Sequence, residues 1–479
     1  MILFEQLAKM AAQQPLRPAL CDSHQVINYG DLLPKITALA ERLRHQKIAR
    51  LALLLDNGID WAMIDLACAL ANIVIIPVPV FFSNEQQNWL LDSSGADALI
   101  GPARAGWITT TSFEYALHRR QPVSVPELPR HTAKITYTSG TTGHPKGVCL
   151  SWDHLMKVSR SLIDRVAPAN IQQHLTLLPF STLLENITGL YVPLLSGACS
   201  RIPLLAEVGF TGSSQFSYQI LAQAIQQWRP HSLVLVPELL RLLVMLCAIN
   251  PDLAQSLRFV AVGGGKIATD LVAKSHQLGL PVYEGYGLSE CGSVVALNTQ
   301  GNMLPGSVGK PLPHCQISIA QDGEILISGS TMLGYLGEPA PAQAVATGDL
   351  GHFDNQGFLH ITGRKKNVQI TAFGRNFSPE WVEAEAQVFP AISRIVIFGD
   401  GLSANVALIQ PTPGYENSLA DQISQLNSRL PDYAQVHHYL LAQLSVENGL
   451  LTNNGRPKRQ QILSEYHLRI RQLIAGDRV

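Results

Sequence analysis

The chain has 479 residues and a formal net charge of −1, with 46% hydrophobic and 15% charged residues. This length exceeds what one hydrophobic core usually serves, so we expect two or more domains. The composition is that of a well-packed globular protein and excludes an intrinsically disordered one. Because there is no long basic run, the sequence also argues against a nucleic-acid-binding protein that neutralises phosphates with a basic patch.

The termini and the cysteines indicate where the protein resides. The first residues contain no basic segment followed by an apolar one, so we expect no signal peptide. The longest largely apolar run, 68–82, is short for a membrane span and contains Asn72, Pro77 and Pro79. We therefore expect no transmembrane segment, whereas peripheral contact with a membrane stays open. Seven scattered cysteines without zinc-type spacing predict free thiols in a reducing cytoplasm.

The predicted elements alternate between helix and strand over the first 300 residues. Helices are predicted at 36–43, 61–70, 218–228 and 238–249, and strands at 49–55, 73–80, 232–236, 257–262 and 281–284. This succession favours an α/β fold in which αβ layers surround parallel sheets. Ligands of such folds bind at the carboxyl ends of the strands, and glycine clusters follow the strands at 257–262 and 281–284.

The later part of the chain has a different pattern of predicted elements. Short predicted strands at 316–320, 323–328 and 357–361 indicate a small β-rich subdomain. Gly363 is followed by a compact basic cluster, and the two together predict a hinge. We therefore expect a large N-terminal domain at 1–363, a hinge at 364–366, and a small, mobile α+β domain at 367–479.

The most informative motif is the segment 135–147, in which a β-prone run leads into a loop of glycines and hydroxylated residues that ends in Pro-Lys-Gly. Free backbone N–H groups in such a loop attract anions, and Lys146 adds a mobile positive charge suited to phosphate oxygens. The spacing differs from the kinase-type P-loop, which needs a lysine directly after glycine and before Ser or Thr. The alternative, an ordinary Ser/Thr/Gly surface loop, explains the unbroken run of small residues less well.

Three further clusters contain candidate binding residues, each with an ordinary alternative. Ser289 and Glu290 follow a tight glycine turn and would suit a phosphate oxygen and Mg²⁺, or else a capped helix start. Asp349, between glycines, would accept hydrogen bonds from ribose hydroxyls or form only a turn, and Arg364 would bind ribose or phosphate or a surface carboxylate. The basic loop 448–459 would close over a polyphosphate or be a solvated turn.

Taken in order, these motifs resemble those of the adenylate-forming superfamily of acyl-CoA synthetases, luciferases and nonribosomal adenylation domains. The loop at 138–147 is similar to the family's phosphate loop, and 286–290 is similar to its Tyr-Gly-x-Ser/Thr-Glu motif. The segments 347–350 and 363–366 match the family's Thr-Gly-Asp and Gly-Arg-x-Lys motifs. The resemblance covers nearly the whole chain, and its motif style is closest to fatty-acyl-CoA synthetases.

The resemblance implies a reaction in which a carboxylic acid and ATP give an acyl-adenylate and pyrophosphate, followed by attack of a thiol. The thiol would belong to CoA or to the phosphopantetheine of an acyl carrier protein, and Mg²⁺ would be required. The implied roles are these: Thr138, Ser139, Gly140, Thr141, Thr142, Gly143 and Lys146 hold the β- and γ-phosphates; Gly264, Gly265, Lys266, Tyr286 and Gly287 line the adenine pocket; Ser289 contacts the α-phosphate; Glu290 binds Mg²⁺; Asp349 and Arg364 hold the ribose; and Lys366 is the hinge pivot.

The sequence departs from the family at one catalytic position. Long-chain members have a lysine there that contacts the substrate during adenylation, and this chain has Arg456, with Lys458 at the place of the next lysine. We expect one of the two residues to serve adenylation. If neither does, the chain would be a degenerate nucleotide-binding scaffold.

The segment 178–186 aligns with the wall of the acyl pocket. Amino-acid-activating members place an Asp here, and our alignment puts Ser181 in that position, so a substrate ammonium would have no partner. We predict that Thr182, Leu183 and Ile187 line the pocket, with plain core packing as the alternative. The interpretation is a CoA ligase for a fatty or other hydrophobic acid. Loading of a carrier protein, or adenylation of an aryl or hydroxy acid, are the alternatives.

Overall fold

A computed structural model describes residues 2–110, 113–138, 145–210, 216–338, 343–372, 375–452 and 455–475. The helices are α1 (Ile2–Gln13), α2 (Tyr29–His45), α3 (Ile59–Ala71), α4 (Asn84–Ser94), α5 (Trp152–Val166), α6 (Leu183–Glu185), α7 (Val192–Ser196), α8 (Tyr218–Trp228), α9 (Pro237–Ile249), α10 (Thr269–Gln277), α11 (Pro379–Glu385), α12 (Leu419–Asn427) and α13 (Arg459–Ala475). A π-helical turn, Asn186–Tyr191, joins α6 to α7.

The strands are named in chain order. The first fourteen are β1 (Pro18–Cys21), β2 (Val26–Asn28), β3 (Arg50–Leu53), β4 (Val74–Pro77), β5 (Ala98–Ile100), β6 (Ile108–Thr110), β7 (Leu117–Arg119), β8 (Thr132–Thr138), β9 (Lys146–Ser151), β10 (Gln173–Leu175), β11 (Cys199–Arg201), β12 (Ser232–Leu235), β13 (Phe259–Val262) and β14 (Val282–Tyr286). The others are β15 (Ala296–Leu297), β16 (Lys310–Pro311), β17 (Cys315–Ile319), β18 (Glu324–Gly329), β19 (Gly334–Tyr335), β20 (Val345–Phe353), β21 (Leu359–Arg364), β22 (Gln369–Ile370), β23 (Asn376–Phe377), β24 (Ile392–Phe398), β25 (Asn405–Pro411) and β26 (Val436–Leu441).

Two large sheets form the body of the protein. One has the order β16-β15-β14-β13-β12-β10-β11-β1-β2, and the other has the order β19-β9-β8-β4-β3-β5-β7-β6. The central pairs, β10 to β14 in the first sheet and β3 with β4 and β5 in the second, are parallel. Helices cover these sheets, so their strands are buried on both faces and consist mainly of aliphatic residues. The predicted α/β fold is confirmed.

The later part of the chain forms smaller sheets, as the short predicted strands indicated. An antiparallel sheet with the order β17-β18-β20-β21 follows the large sheets. The hairpin between β20 and β21 sets Asp349 directly opposite Arg364. A three-stranded sheet, β24-β25-β26, then packs with α11 and α12 around a separate apolar cluster. Lys366, the predicted pivot, lies in the 3₁₀ turn Lys365–Asn367 between these parts.

The residues after this turn are held over the carboxyl ends of β12, β13 and β14. Arg241 of α9 donates from its two terminal nitrogens to the carbonyl oxygens of Phe389 and Ile392, each over 2.9 Å. Gln387 donates to the carbonyl oxygen of Lys266 over 3.0 Å. These contacts to backbone carbonyl groups fix the smaller part above the strand ends.

A buried polar network connects β8, α3 and the π-helical turn in the large part of the chain. The Lys134 Nζ atom on β8 lies 2.7 Å from a carboxylate oxygen of Asp65 on α3 and also donates to Asn186 and Tyr191. Burial lowers the pKa of Lys134, and the neighbouring Asp65 carboxylate opposes that shift. Since an unpaired buried charge is costly, this network ties the strand that enters the phosphate loop to the π-helical turn.

The cysteines and the helices also agree with the sequence. All seven cysteines are buried and free, as predicted. Within the described ranges, no helix combines the length and the apolar composition that a bilayer crossing requires.

Candidate functional site

A cavity of about 1830 Å³ lies where the smaller part covers the strand ends. Most of the residues singled out from the sequence line it, although they are far apart in the chain. The predicted residues in its wall are Thr138, Thr182, Leu183, Gly264, Gly265, Lys266, Tyr286, Gly287, Ser289, Glu290, Asp349, Arg364, Lys366 and Arg456. The fold therefore brings the separate motifs together around one space.

Three predicted residues do not line the cavity, and five lie outside the described part. Lys146 and Lys458 are not among the residues of the cavity wall. Ile187 corrects the pocket prediction, because it is fully buried in the core and faces away from the cavity. The loop residues Ser139, Gly140, Thr141, Thr142 and Gly143 fall outside the residues that the structure describes.

The glycines after β13 and β14 allow the backbone to border the cavity. Gly264 has a φ of +83°, a conformation that residues with a side chain rarely adopt. A Cβ atom on Gly287 would overlap the carbonyl oxygen of Ser293. Only glycine fits at that position, so the tight turn that presents Ser289 and Glu290 depends on it.

Tyr286, Asp349 and Arg364 form one hydrogen-bonded group. Asp349 accepts from the Tyr286 hydroxyl and from the Arg364 Nε, each over 2.7 Å, and is nearly buried. Burial raises the pKa of Asp349, while Arg364 and the Tyr286 hydroxyl oppose the shift. The arrangement presents a carboxylate and a guanidinium side by side, which suits the hydroxyls of a sugar.

Glu290 belongs to a second cluster that the sequence did not reveal. The Tyr335 hydroxyl donates to Glu290 over 2.8 Å, and the Lys146 ammonium lies 4.8 Å from the centre of the Tyr335 ring. Lys146 also forms an ion pair of 2.9 Å with Glu338. Tyr335 is on β19, which pairs with β9 next to Lys146, so a strand pairing between distant segments creates this cluster.

The carboxylate of Glu290 fits a magnesium site completed by a substrate. Mg²⁺ is usually held by one or two carboxylates together with phosphate oxygens and water rather than by a closed protein cage. Among the described residues, no three His, Cys, Asp or Glu side chains are arranged to hold a metal ion by themselves. A single carboxylate at the edge of a phosphate-sized space agrees with this donor set.

Arg456 reaches the cavity from the smaller part. One of its terminal nitrogens donates to the carbonyl oxygen of Gly264 over 2.7 Å. Its loop is closed by hydrogen bonds between Thr452 and Arg456 and by pairing of Leu451 with Pro457. Arg456 is therefore part of the cavity wall, and Lys458 is not among the residues that line it.

Glu284 is a cavity residue that sequence reasoning did not select. It lies on β14 two residues before Tyr286 and is only 7% exposed. Burial raises the pKa of Glu284 to about 7, opposed by a backbone hydrogen bond and by Lys266. The sequence shows an acidic residue between Tyr283 and the glycine turn, but it does not show that this residue is buried.

The part of the cavity wall that α5, the segment after α6, β12 and β13 contribute is called the tunnel here. Its lining residues are Leu162, Ile163 and Val166 of α5, Thr188, Val192 and Pro193 after α6, Leu233 and Val234 of β12, and Phe259 and Ala261 of β13. Along the chain, this lining extends from Ser232 at the start of β12 to Val236 just after its end, roughly 13 Å for four residue steps.

The positively charged residues of the cavity wall are unevenly distributed. Among the described residues, the cationic ones that line the cavity are Arg241, Lys266, Arg364, Lys366, Arg394, Arg456 and Arg459. None of these belongs to α5, to 188–193 or to the strands β12 and β13. The polar side chains of the tunnel bond to each other, since His174 lies 2.9 Å from both Ser232 and Glu185.

Comparison with protein families identifies relatives of both parts of the chain. A sequence model described as AMP-binding enzyme matches residues 7–336. A second one, described as AMP-binding enzyme C-terminal domain, matches residues 367–477.

Curated relatives include CoA ligases for different acids. A 2-succinylbenzoate–CoA ligase from Bacillus subtilis is 26% identical over 432 residues, which cover 82% of this chain and 84% of the relative. A long-chain-fatty-acid–CoA ligase (FadD15) from Mycobacterium bovis is 27% identical over 429 residues, covering 74% of this chain and 71% of the relative.

Solved structures share the fold over almost the whole chain. The o-succinylbenzoate CoA synthetase of Bacillus subtilis, in complex with its acyl-adenylate intermediate, has a TM-score of 0.76 at 22% identity, covering 95% of this chain and 97% of that one. An anthranilate CoA ligase in complex with anthranoyl-AMP has a TM-score of 0.81 at 16% identity, with 98% of both chains covered.

The buried Glu284 predicts a pH-dependent stability. Because its pKa in the folded state is raised above the unfolded value, its contribution to folding is complete below the unfolded pKa and is lost as the pH rises through about 7. The Glu284→Gln variant is neutral at every pH. We expect its free energy of unfolding, relative to the wild type, to increase by roughly 2–3 kcal/mol between pH 5 and pH 8. Urea unfolding of both proteins at the two pH values measures this, and parallel pH profiles would contradict the assignment.

Proposed function

The chain belongs to the AMP-binding enzyme family as an AMP-forming acyl-CoA ligase, and we propose that its substrate is a fatty or similarly apolar monocarboxylic acid. The acid would be converted to an acyl-adenylate with release of pyrophosphate, and the acyl group would then pass to the thiol of CoA. CoA is proposed as the acceptor because the curated relatives are CoA ligases.

The tunnel is the observation that carries the choice of acid. An aryl acid would occupy only its first part, whereas an extended acyl chain would bury apolar surface along the full length, and each buried methylene contributes about 0.8 kcal/mol. Among the described residues of α5, 188–193, β12 and β13 that line the cavity, a second carboxylate, as in 2-succinylbenzoate, would find no Lys or Arg. Burial of an unpaired carboxylate is costly, so the lining supports an apolar monocarboxylic acid.

The proposed first step takes place at the carboxyl edge of the sheet. A carboxylate oxygen of the acid attacks the α-phosphorus of ATP, an O–P bond forms, and the bond to pyrophosphate breaks. Asp349 and Arg364 would orient the ribose, and Lys146 would stabilise the negative charge of the departing pyrophosphate. Mg²⁺ at Glu290 would supply further charge stabilisation.

The second step replaces AMP with the thiol. The sulfur attacks the acyl carbonyl carbon, a thioester forms, the C–O bond to AMP breaks, and the thiol proton passes to solvent. The mixed anhydride makes this possible, because AMP is a far better leaving group than the oxide of a carboxylate.

We further propose that Arg456 takes the adenylation role of the family's lysine. Its guanidinium bonds to the Gly264 carbonyl oxygen and lies near Arg364 and Asp349, so a nucleotide in this space would come within its reach. The guanidinium stays charged at every working pH and can donate to two phosphate oxygens.

Substitution of the two basic residues of this loop separates their roles. Arg456→Ala should lower the rate of acid-dependent exchange between pyrophosphate and ATP by about 10²- to 10³-fold, the usual effect of losing one charge-stabilising donor. Lys458→Ala removes a positive charge two residues away and is the matched control, expected to change the rate less than threefold. Exchange in Arg456→Ala at the wild-type rate, or the larger loss in Lys458→Ala, would refute the assignment.

A panel of acids tests the proposed substrate. Purified protein with ATP and Mg²⁺ is given acetate, octanoate, palmitate, benzoate and 2-succinylbenzoate, each with CoA and with a phosphopantetheinylated carrier protein, and AMP release is measured. We expect kcat/KM to rise steeply with chain length, by up to several-fold per methylene, and to be higher with CoA. Preference for benzoate or 2-succinylbenzoate would contradict the apolar-acid proposal. ATP binding without turnover of any acid would indicate a scaffold.

A further inference from the structure

The buried network of Lys134 lies behind the cavity wall rather than in it. Lys134 is only 1% exposed and is not among the residues that line the cavity. Lys134, Thr136 and Thr138 alternate along β8 and so share one face of the strand, and Thr136 and Thr138 do line the cavity. Four residue steps, roughly 13 Å, separate Lys134 from the end of β8. With its ammonium bonded elsewhere, Lys134 therefore does not contact a substrate.

The ammonium of Lys134 has three N–H donors, and each of them has an acceptor. It donates to Asp65 over 2.7 Å, to the Tyr191 hydroxyl over 2.8 Å and to the side-chain oxygen of Asn186. The Tyr191 hydroxyl in turn donates to the second carboxylate oxygen of Asp65 over 2.5 Å. These four side chains form a closed group, because a shift of any one would leave buried polar atoms of the others unpaired.

The group holds both ends of the π-helical turn. Asn186 is the first residue of this turn and Tyr191 is the last, and both accept from the same ammonium. Leu184, Thr188 and Val192, which lie in the turn or next to it, line the cavity. Turns of this kind are rare and are frequent at functional sites. The position of this part of the tunnel wall is therefore set by bonds to a residue of β8.

The strand β8 carries the constraint to the nucleotide edge. It pairs with β9 as far as Thr138, which lies opposite Lys146, and on its other side Lys134 pairs with Ile75 of β4. A strand that is bonded on both sides does not move independently of its sheet. Because β8 leads directly into the predicted phosphate loop, one buried ammonium connects the tunnel wall to the strand that presents this loop.

Stability alone does not account for a network of this kind. The side chains of Lys134 and Asp65 are 2% and 0% exposed, and the ammonium lies 5.7 Å and 5.2 Å from the centres of the Trp61 and Tyr191 rings. Removing two charges from water costs free energy, and apolar side chains of similar volume often give equal or greater stability. Apolar side chains would not supply directional bonds that hold the turn in one place.

We propose that Lys134 is a positioning residue for adenylation. It sets the place of the tunnel wall, which holds the acid, relative to the strand that leads into the phosphate loop, which holds the ATP phosphates. Attack of the carboxylate on the α-phosphorus needs reacting atoms about 3–3.5 Å apart, and a displacement of about 1 Å costs roughly 10²-fold in rate. The inference rests on the proposed function for an acid in the tunnel, but it does not depend on which acid binds.

A paired substitution separates positioning from stability. Lys134→Met with Asp65→Leu removes both buried charges together and leaves neither unpaired, so we expect unfolding at a urea concentration close to that of the wild type. Palmitate-dependent exchange between pyrophosphate and ATP should fall by about 10²-fold. Transfer from added palmitoyl-adenylate to CoA should stay within about threefold of the wild type, because the mixed anhydride already joins the two groups that the network positions.

Two further variants complete the comparison. Tyr191→Phe keeps the aromatic ring and the ion pair but releases one end of the turn, so exchange should fall by about tenfold, the equivalent of one hydrogen bond, and the thiol step should again be spared. The matched control, Arg119→Met with Asp97→Asn, removes a 3.2 Å ion pair beside β7 and β5 of the same sheet. The control should lower the urea midpoint and leave the exchange rate unchanged.

Three activity results would overturn the proposal. These are exchange at the wild-type rate in the variant of Lys134 and Asp65, equal losses in its two half-reactions, or an equal loss of exchange in the control. Equal losses in both half-reactions would mean that the network only stabilises the fold.

Amide hydrogen exchange of the segment 184–192, measured without substrates, tests the link independently of turnover. The proposal requires faster exchange in Tyr191→Phe than in the wild type, and unchanged protection would also overturn it. A wild type that activates no acid would contradict the proposed function instead, and the panel of acids reveals that failure separately.

Discussion

The contact between the smaller part of the chain and the carboxyl edge of the large sheet is the constraint on which the site depends. Arg241 holds the carbonyl oxygens of Phe389 and Ile392, and Arg456 holds the carbonyl oxygen of Gly264. These are charge-assisted bonds to backbone acceptors, which are stronger than neutral ones. Without them the strand ends would face solvent, and Arg456 would not share one cavity with the glycine turns and the Asp349 group.

The cavity wall is polar at the carboxyl edge of the sheet and apolar along the bodies of the strands. At the carboxyl edge, loops and glycine turns expose backbone groups and polar side chains suited to a nucleotide. Along the bodies of β12 and β13 the wall consists mainly of apolar side chains, because the backbone groups of these strands are already paired in the sheet. A molecule with a charged head and an apolar tail matches this division, and an acyl-adenylate has that form.

The sequence predicted the parts of the site that are encoded locally. Tyr286, Glu290 and Asp349 lie in short motifs, and the residue spacing within each motif indicates a binding role. The sequence did not predict clusters made by distant segments, such as Tyr335 with Glu290, because β19 finds β9 only in the folded chain. Nor could the sequence show that Arg456 lines the cavity and bonds to Gly264, because that contact joins two distant parts of the chain.

The pocket prediction shows the limit of apolar patterns. Leu183 and Ile187 lie in one helical segment, and apolar residues on a helix suit either a core or a pocket. Leu184, Thr188 and Val192 line the cavity, as Leu183 does, whereas Ile187 packs into the core.

Conversion of an apolar acid to its adenylate is the activity on which the proposed function rests. A single-turnover rapid-quench experiment with enzyme in excess over ATP, together with Mg²⁺ and palmitate and without any thiol, tests it most directly. We expect palmitoyl-adenylate and pyrophosphate to form in equal amounts, approaching one equivalent of each per ATP. ATP that binds to the same sample but stays intact in the presence of palmitate would contradict it.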